Sequence, residues 1–223
     1  MFQKIKSWFS KKTKRTLSVQ NAINQLVQIN NNNILSLYSY PKYEEETIVL
    51  IIKNEDKNIF TTLQTLEIKN ILQKISFICL SEKEVKEATD VFSLQFFDIK
   101  TTATLLHGKD IFKNINISKA HLRRKMEFDI RNKSIYLRQE AIRIPAKHLI
   151  HNIVAELKPV IHASQYLEIS LISKTLQSVE EITENIQNNT TKYSEEKLLR
   201  TISDISVMLE QWADKVEKHE KKL

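Results

Sequence analysis

Apolar residues Val19, Ala22, Ile23, Leu26 and Val27 recur at helical spacing, and the pattern stops in the Asn30 to Asn33 run, which predicts one helix and its end. Two strand-like runs follow, ILSLYSY from Ile34 and TIVLII from Thr47, separated by a turn from Pro41 to Glu46. The second run is apolar without alternation, the mark of a central strand buried on both faces. A helix carrying Ile59, Leu63, Leu66 and Ile71 is predicted from about Asn58 to Lys74, then a third strand, ISFICL, from Ile75 to Leu80. Strand, strand, helix, strand describes a small sheet with helices on it.

From Ser118 onward the periodicity is helical. Ser118 is placed to cap a long helix that runs to about Ile144, where Pro145 stops or restarts it. His148 to Leu157 continues as helix, Pro159 is expected to kink or break it, and Val160 to Ile172 follows. A shorter helix carries Leu176, Val179 and Ile182. The last has Leu198, Ile202, Ile205, Leu209, Trp212 and Val216 at alternating spacings of four and three. Faces of this kind must pack on other helices, so the C-terminal half reads as a bundle. The fold class is therefore α+β. We expect a leader at 1–16, an α/β domain at 17–117 and a helical domain at 118–223.

Composition narrows the chemistry. Among 223 residues there is a single glycine, Gly108, whereas phosphate-cradling loops need several residues that bring backbone N–H groups close to an anion. A Walker A loop, a dinucleotide-binding G-x-G-x-x-G and a G-x-S-x-G nucleophile elbow are all excluded. Cys79 is the one cysteine, so no disulfide or cysteine-rich zinc site forms within the chain. The longest apolar run, Ile48 to Ile52, is far short of the roughly 20 residues that span a bilayer. The expectation is a soluble chain in the cytoplasm.

Charge is unevenly placed. Residues 1–16 hold six Lys/Arg and no acid, out of a net charge of +7. Within MFQKIKSWF, residues Phe2, Ile5, Trp8 and Phe9 share one helical arc with lysines around it. That pattern suits the face of an anionic membrane, the alternative to a purely cytoplasmic location, and makes these four residues the membrane-surface candidates. A basic middle, 101–150, with eleven Lys/Arg against four acids, is followed by an acidic third, 151–223, with nine against twelve. Nucleic acid is not the expected partner, because basic residues are only partly interleaved with stacking aromatics. No particular protein partner is indicated.

The segment FFDIKTTATLLHGKDIF, Phe96 to Phe112, followed by HLRRKMEFDIRNKSIYLRQ, His121 to Gln139, resembles a family of bacterial nucleotidyltransferase-like proteins of the DNA polymerase β superfamily. Members carry a strand ending in F-x-D-I, matched by Asp98 and Ile99. An L-x-G-x-D turn follows, matched by Leu106, Gly108 and Asp110. A helix with repeated L-R pairs is matched by Leu122 and Arg123, Glu127, Ile130, Arg131 and Lys133, then Leu137 and Arg138. The resemblance implies a small mixed sheet flanked by helices and then a helical domain. It also implies a function built around a nucleotide. Active members hold two Mg²⁺ ions on a carboxylate pair one residue apart on a strand plus a third acid on a neighbouring strand, with the triphosphate on a Gly-Ser turn before the pair. Such a centre needs hard oxygen ligands for both ions.

This chain departs at each point. The Gly-Ser turn falls at Tyr38 and Ser39, the carboxylate pair at Glu46 and Ile48, and the third acid on the acid-free strand Ile75 to Leu80. Two-metal transfer, bound Mg²⁺ and any other cofactor are accordingly not expected. The implied role is that of an inactive member that binds a nucleotide or another phosphorylated ligand, or regulates.

Arg124, Arg131 and Arg138 recur every seven residues beside Phe128, Ile135 and Ile142. Arginine captures phosphate and carboxylate through its planar fork. The stripe is read either as an anion-binding wall, with Lys109, Arg131, Lys133 and Arg138 as the ligands' contacts, or as a set of salt bridges to acids such as Glu180, Glu181, Glu184, Glu195 or Glu196. Asp98 is either a cap or an acid bordering the old cleft. Arg143 and His148 fit the R-x4-H spacing of helical ribonucleases, and His148, His151 and His162 with Glu156 could form a zinc set if Pro159 left them in register.

Overall fold

The structure, a computed structural model, describes residues 23–24, 26–28, 32–42, 45–54, 59–61, 64 and 76–220. Strand β1 spans Ile34–Lys42 and β2 spans Glu45–Ile52. They pair antiparallel from Ile34↔Ile52 to Lys42↔Glu45, so the connection is tighter than the Pro41 to Glu46 turn read from the sequence. Strand β3, Ser76–Ser81, runs parallel to β2 with Ile48 opposite Phe77 and Leu50 opposite Cys79. A fourth strand, β4 at Thr104–Gly108, pairs antiparallel with β1. The mixed sheet has the order β3-β2-β1-β4.

One compact unit comprises this sheet and the chain up to Glu87, with Thr102–Asn114 added. Its core joins Ile34, Leu37, Ile48, Leu50 and Ile52 to Ile23, Leu26 and Ile59. Residues 23–24, 26–28, 59–61 and 64 are helical, and the rest of the two helices expected there lies outside the described residues. After β3 comes the short helix α1, Glu82–Glu87. It opens with a reciprocal cap, in which the Ser81 N–H donates to Glu84 Oε2 at 2.7 Å and the Glu84 N–H donates to Ser81 Oγ at 3.1 Å.

The second unit comprises 88–101 and the chain from Ile115. Its helices are α2 at Ser93–Thr102, α3 at Lys119–Glu140, α4 at Ala146–Tyr166, α5 at Lys174–Gln187 and α6 at Glu195–Glu220. Thr102, the last residue of α2, belongs to the first unit. Four expectations change here. The F-x-D-I stretch is not a strand: Leu94, Phe96, Phe97, Asp98 and Ile99 are buried on α2. Pro159 does not break the helix, because α4 is continuous through it and ends at Tyr166 rather than Ile172. A mid-helix proline costs about 3 kcal/mol, and the buried neighbours Leu157, Val160 and Ala163 offset it by packing. Ser118 occupies the position before α3 but its side chain accepts no capping hydrogen bond. The segment 88–101 groups with the helices rather than with the sheet.

The bundle core draws Met126, Ile130 and Leu137 of α3 together with Ile205, Leu209, Trp212 and Val216 of α6. Arg138 meets Glu210 and Arg131 meets Glu217, pairs that step in opposite directions along the chain, so α3 and α6 run antiparallel. No helix among the described residues is long and apolar enough to cross a membrane.

Gly108 closes β4 at φ +82°, and a Cβ there would collide with the Leu35 carbonyl oxygen. Only glycine fits that conformation and that approach. Gly108→Ala is expected to destabilise the sheet unit by about 2 kcal/mol or more, read as a lower midpoint in thermal unfolding followed by circular dichroism.

Candidate functional site

The site implied by the resemblance would begin at Tyr38 and Ser39, which the structure places inside an unbroken strand. β1 lies between β2 and β4, and Tyr38 and Ser39 are paired on both sides, with Val49 and Ile48 of β2 and with Leu105 and Thr104 of β4. Backbone N–H groups committed to a ladder cannot also converge on a phosphate. The Tyr38 side chain is buried and works as a hub. Its hydroxyl accepts the Ile111 N–H at 2.7 Å and lies 3.2 Å from Asp110 Oδ1, and its ring meets Phe112 edge-on at 5.3 Å. Ser36 Oγ donates to the Lys109 carbonyl, and Asp110 Oδ1 accepts the Lys113 N–H at 3.1 Å. Asp110 thus caps the 3₁₀ turn Phe112–Asn114. Burial pushes the Tyr38 phenol above its ordinary 10.0, against the lowering effect of the Phe112 and Ile111 N–H groups.

The metal positions fare no better. Side chains alternate along a strand, and Ile48 enters the apolar cluster with Ile23, Leu26 and Ile59 at 1% exposure. Its neighbour on β3 is Phe77, and β3 and β4 carry no acid at all. Glu46 lies on β2, its side chain outside the described residues. Among the described residues no three of His, Cys, Asp and Glu gather as a metal would require. Among the described residues, those at the implied positions do not fit a two-metal centre.

The basic candidates have identifiable neighbours. Arg131 Nε donates to Glu127 at 2.9 Å and Nη2 reaches Glu217 at 3.3 Å, and the Glu127 hydrogen bond raises its already high pKa. Arg138 Nη1 binds Glu210 at 3.0 Å and Ser134 Oγ at 3.1 Å. Lys133, largely buried, lies 2.8 Å from Asp129 and 3.5 Å from Glu156. The carboxylates engaged are on α3, α4 and α6, not at the five glutamates expected from the sequence. An anion reaching these three side chains competes with acids already in place. Lys109, in the other unit, is exposed, with its backbone fixed against β1 and no ion-pair partner for its ammonium among the described residues.

The remaining candidates disperse. Arg143 sits in the α3–α4 turn, 3.6 Å from Glu140. His151 Nδ1 meets Gln187 Nε2 at 3.1 Å, and His162 Nδ1 meets Asp98 Oδ1 at 2.8 Å. The last pair ties α2 to α4 inside the helical unit, with Asp98 buried. Nothing in the sequence announces it, since its members are 64 positions apart. Phe2, Ile5, Trp8 and Phe9 lie outside the described residues.

No family model and no curated protein matches the chain. A solved structure does. The spectinomycin adenyltransferase of Enterococcus faecialis, crystallised with ATP and spectinomycin, superimposes with a TM-score of 0.55 at 10% identity, covering 86% of this chain and 99% of that one. The fold is nucleotidyltransferase-like. At that identity the likeness is one of architecture, and it accounts for a four-stranded mixed sheet followed by a bundle.

Tyr38→Phe removes the hydroxyl but keeps the ring, so it is expected to cost about 1–3 kcal/mol from the orphaned Ile111 N–H, measured by denaturant unfolding. The wild-type advantage is full below pH 10 and fades as pH rises through the raised folded value, because the unfolded chain gives up the proton first. The two proteins should converge in strongly alkaline solution.

Proposed function

We propose that this chain is a nucleotidyltransferase-fold protein that binds a nucleotide or another phosphorylated ligand, or regulates through that binding, without transferring a nucleotidyl group. The observation that carries the reading is the direction of Ile48. A position that would supply a metal-binding carboxylate points into hydrocarbon, and two-metal transfer depends on oxygen ligands for both ions. The paired backbone at Tyr38 and Ser39 supports it from the phosphate side.

Lys109 in the sheet unit and, taken separately, Arg131, Lys133 and Arg138 in the helical unit are the proposed contacts for anionic groups. Lys109 offers a solvated ammonium, and Arg131 and Arg138 keep about half of their side chains in solvent, 48% and 52%. A guanidinium has five N–H donors, so the two acceptors engaged by each of Arg131 and Arg138 leave others for phosphate. The enterococcal enzyme was solved with ATP, which makes ATP the first ligand to try.

Incubation with Mg²⁺ or Mn²⁺ and labelled nucleoside triphosphates is expected to give neither transfer nor self-labelling, while at least one triphosphate raises the melting temperature. Lys109→Ala should reduce that rise. Transfer of label refutes the loss of catalysis, and a melting temperature indifferent to every triphosphate refutes the binding role.

A further inference from the structure

His121, Arg124, Lys125 and Phe128 follow one another at helical spacing and share one face of α3 near its start. The turn at 89–91, just before α2, supplies the opposite wall of a cleft. That turn is held at both ends. The Phe92 N–H donates to the Ala88 carbonyl at 2.9 Å, the Phe92 and Phe96 rings meet at 5.6 Å, and the buried Ser93 Oγ donates to the His121 carbonyl at 3.2 Å. The cleft has a volume of about 510 Å³ and is lined by Asp90, Val91, His121, Arg124, Lys125 and Phe128, a size at which small molecules bind. Both walls belong to the helical unit.

The charges left in the cleft are balanced. Arg124 already has an interaction of its own. Lys125 Nζ lies 4.6 Å from the Phe128 ring centre rather than on a carboxylate, and Asp90 has no ion-pair partner among the described residues. One carboxylate and one ammonium therefore line the same space without closing on each other. Beside them Val91 and Phe128 are 53% and 55% exposed, so the cleft offers an aromatic ring for stacking as well. A purely acidic ligand would meet Asp90 and a purely basic one would meet Lys125. A small molecule that carries one charge of each sign finds a partner for both.

We propose that this cleft binds a free aromatic amino acid, with its ammonium on Asp90, its carboxylate on Lys125 and its ring against Phe128 and Val91. The site is separate from the nucleotide contacts proposed above, since Lys109 lies in the other unit and Arg131, Lys133 and Arg138 are not among the cleft's walls.

The probe is L-tryptophan, titrated into the full chain labelled with nitrogen-15 while the amide signals of Asp90, Val91, Lys125 and Phe128 are followed by NMR. Saturable shifts at these amides are expected, with a dissociation constant on the order of 1 mM. Tryptamine, which lacks the carboxylate, and indole-3-propionate, which lacks the ammonium, should each bind about fivefold more weakly. Asp90→Asn should abolish the preference over indole-3-propionate, and Lys125→Gln the preference over tryptamine. Phe128→Ala should weaken all three indoles. Asp90 and Phe128 are exposed, so unchanged circular dichroism is expected in both variants. No saturable shift at these amides, an equal response to L-alanine, or preferences indifferent to Asp90→Asn and Lys125→Gln overturns the proposal. So does tighter binding of indole-3-propionate than of tryptophan, which assigns the cleft to a simple anion.

Discussion

The direction in which Ile48 leaves β2 constrains the whole sheet unit. β2 is paired on both edges, and Ile48, Leu50 and Ile52 enter the cluster that holds Ile23, Leu26 and Ile59. Burying five successive residues from Ile48 to Ile52 at no more than 2% exposure makes this strand the axis of the unit. Each buried aliphatic side chain contributes about 1.5–3 kcal/mol, so the same side chains that stabilise the fold occupy a position where hard ligands would stand. A strand cannot be turned over to expose one face without exposing all of it.

Tyr38 shows the same exchange on the neighbouring strand. Where a phosphate-binding turn would interrupt the chain, β1 continues, and the freed space holds an aromatic hub that fixes the Gly108 to Phe112 turn. The hydrogen-bonding capacity of this corner is spent on the protein's own backbone. In the helical unit the arginines follow a comparable logic. Arg131 and Arg138 join α3 to α6 through Glu217 and Glu210, pairs that as exposed salt bridges contribute at most about 1 kcal/mol each but fix the register in which the two helices meet.

Much of this was legible beforehand where burial leaves a period. TIVLII read as a central strand and is one; the alternating four-three spacing of α6 predicted six core positions, and all six are buried. The misses share physical causes. β4 is five residues long at the edge of the sheet, with no clean alternation of burial, so its sequence carries little signal. FFDI is apolar over too short a run to separate strand from helix. Pro159 read as a breaker because local propensity says nothing about the packing that holds α4 together. For the candidate site, the absence of glycine and of acids at Tyr38, Ser39 and Ile48 was visible directly. Contacts made at long range, such as Asp98 with His162 or Tyr38 with Ile111, have no local signature. Glu217 and Glu210, which pair with Arg131 and Arg138 across helices, required the α3–α6 register, which only the fold supplies.

The most direct measurement is the stability of Ile48→Asp by denaturant unfolding, with and without millimolar Mg²⁺. With the side chain in hydrocarbon, the substitution buries an unpaired carboxylate, costs about 3 kcal/mol or more, and is unaffected by the ion. Recovery of most of that stability on adding Mg²⁺ would mean that position 48 faces a seat for metal, and would contradict the account.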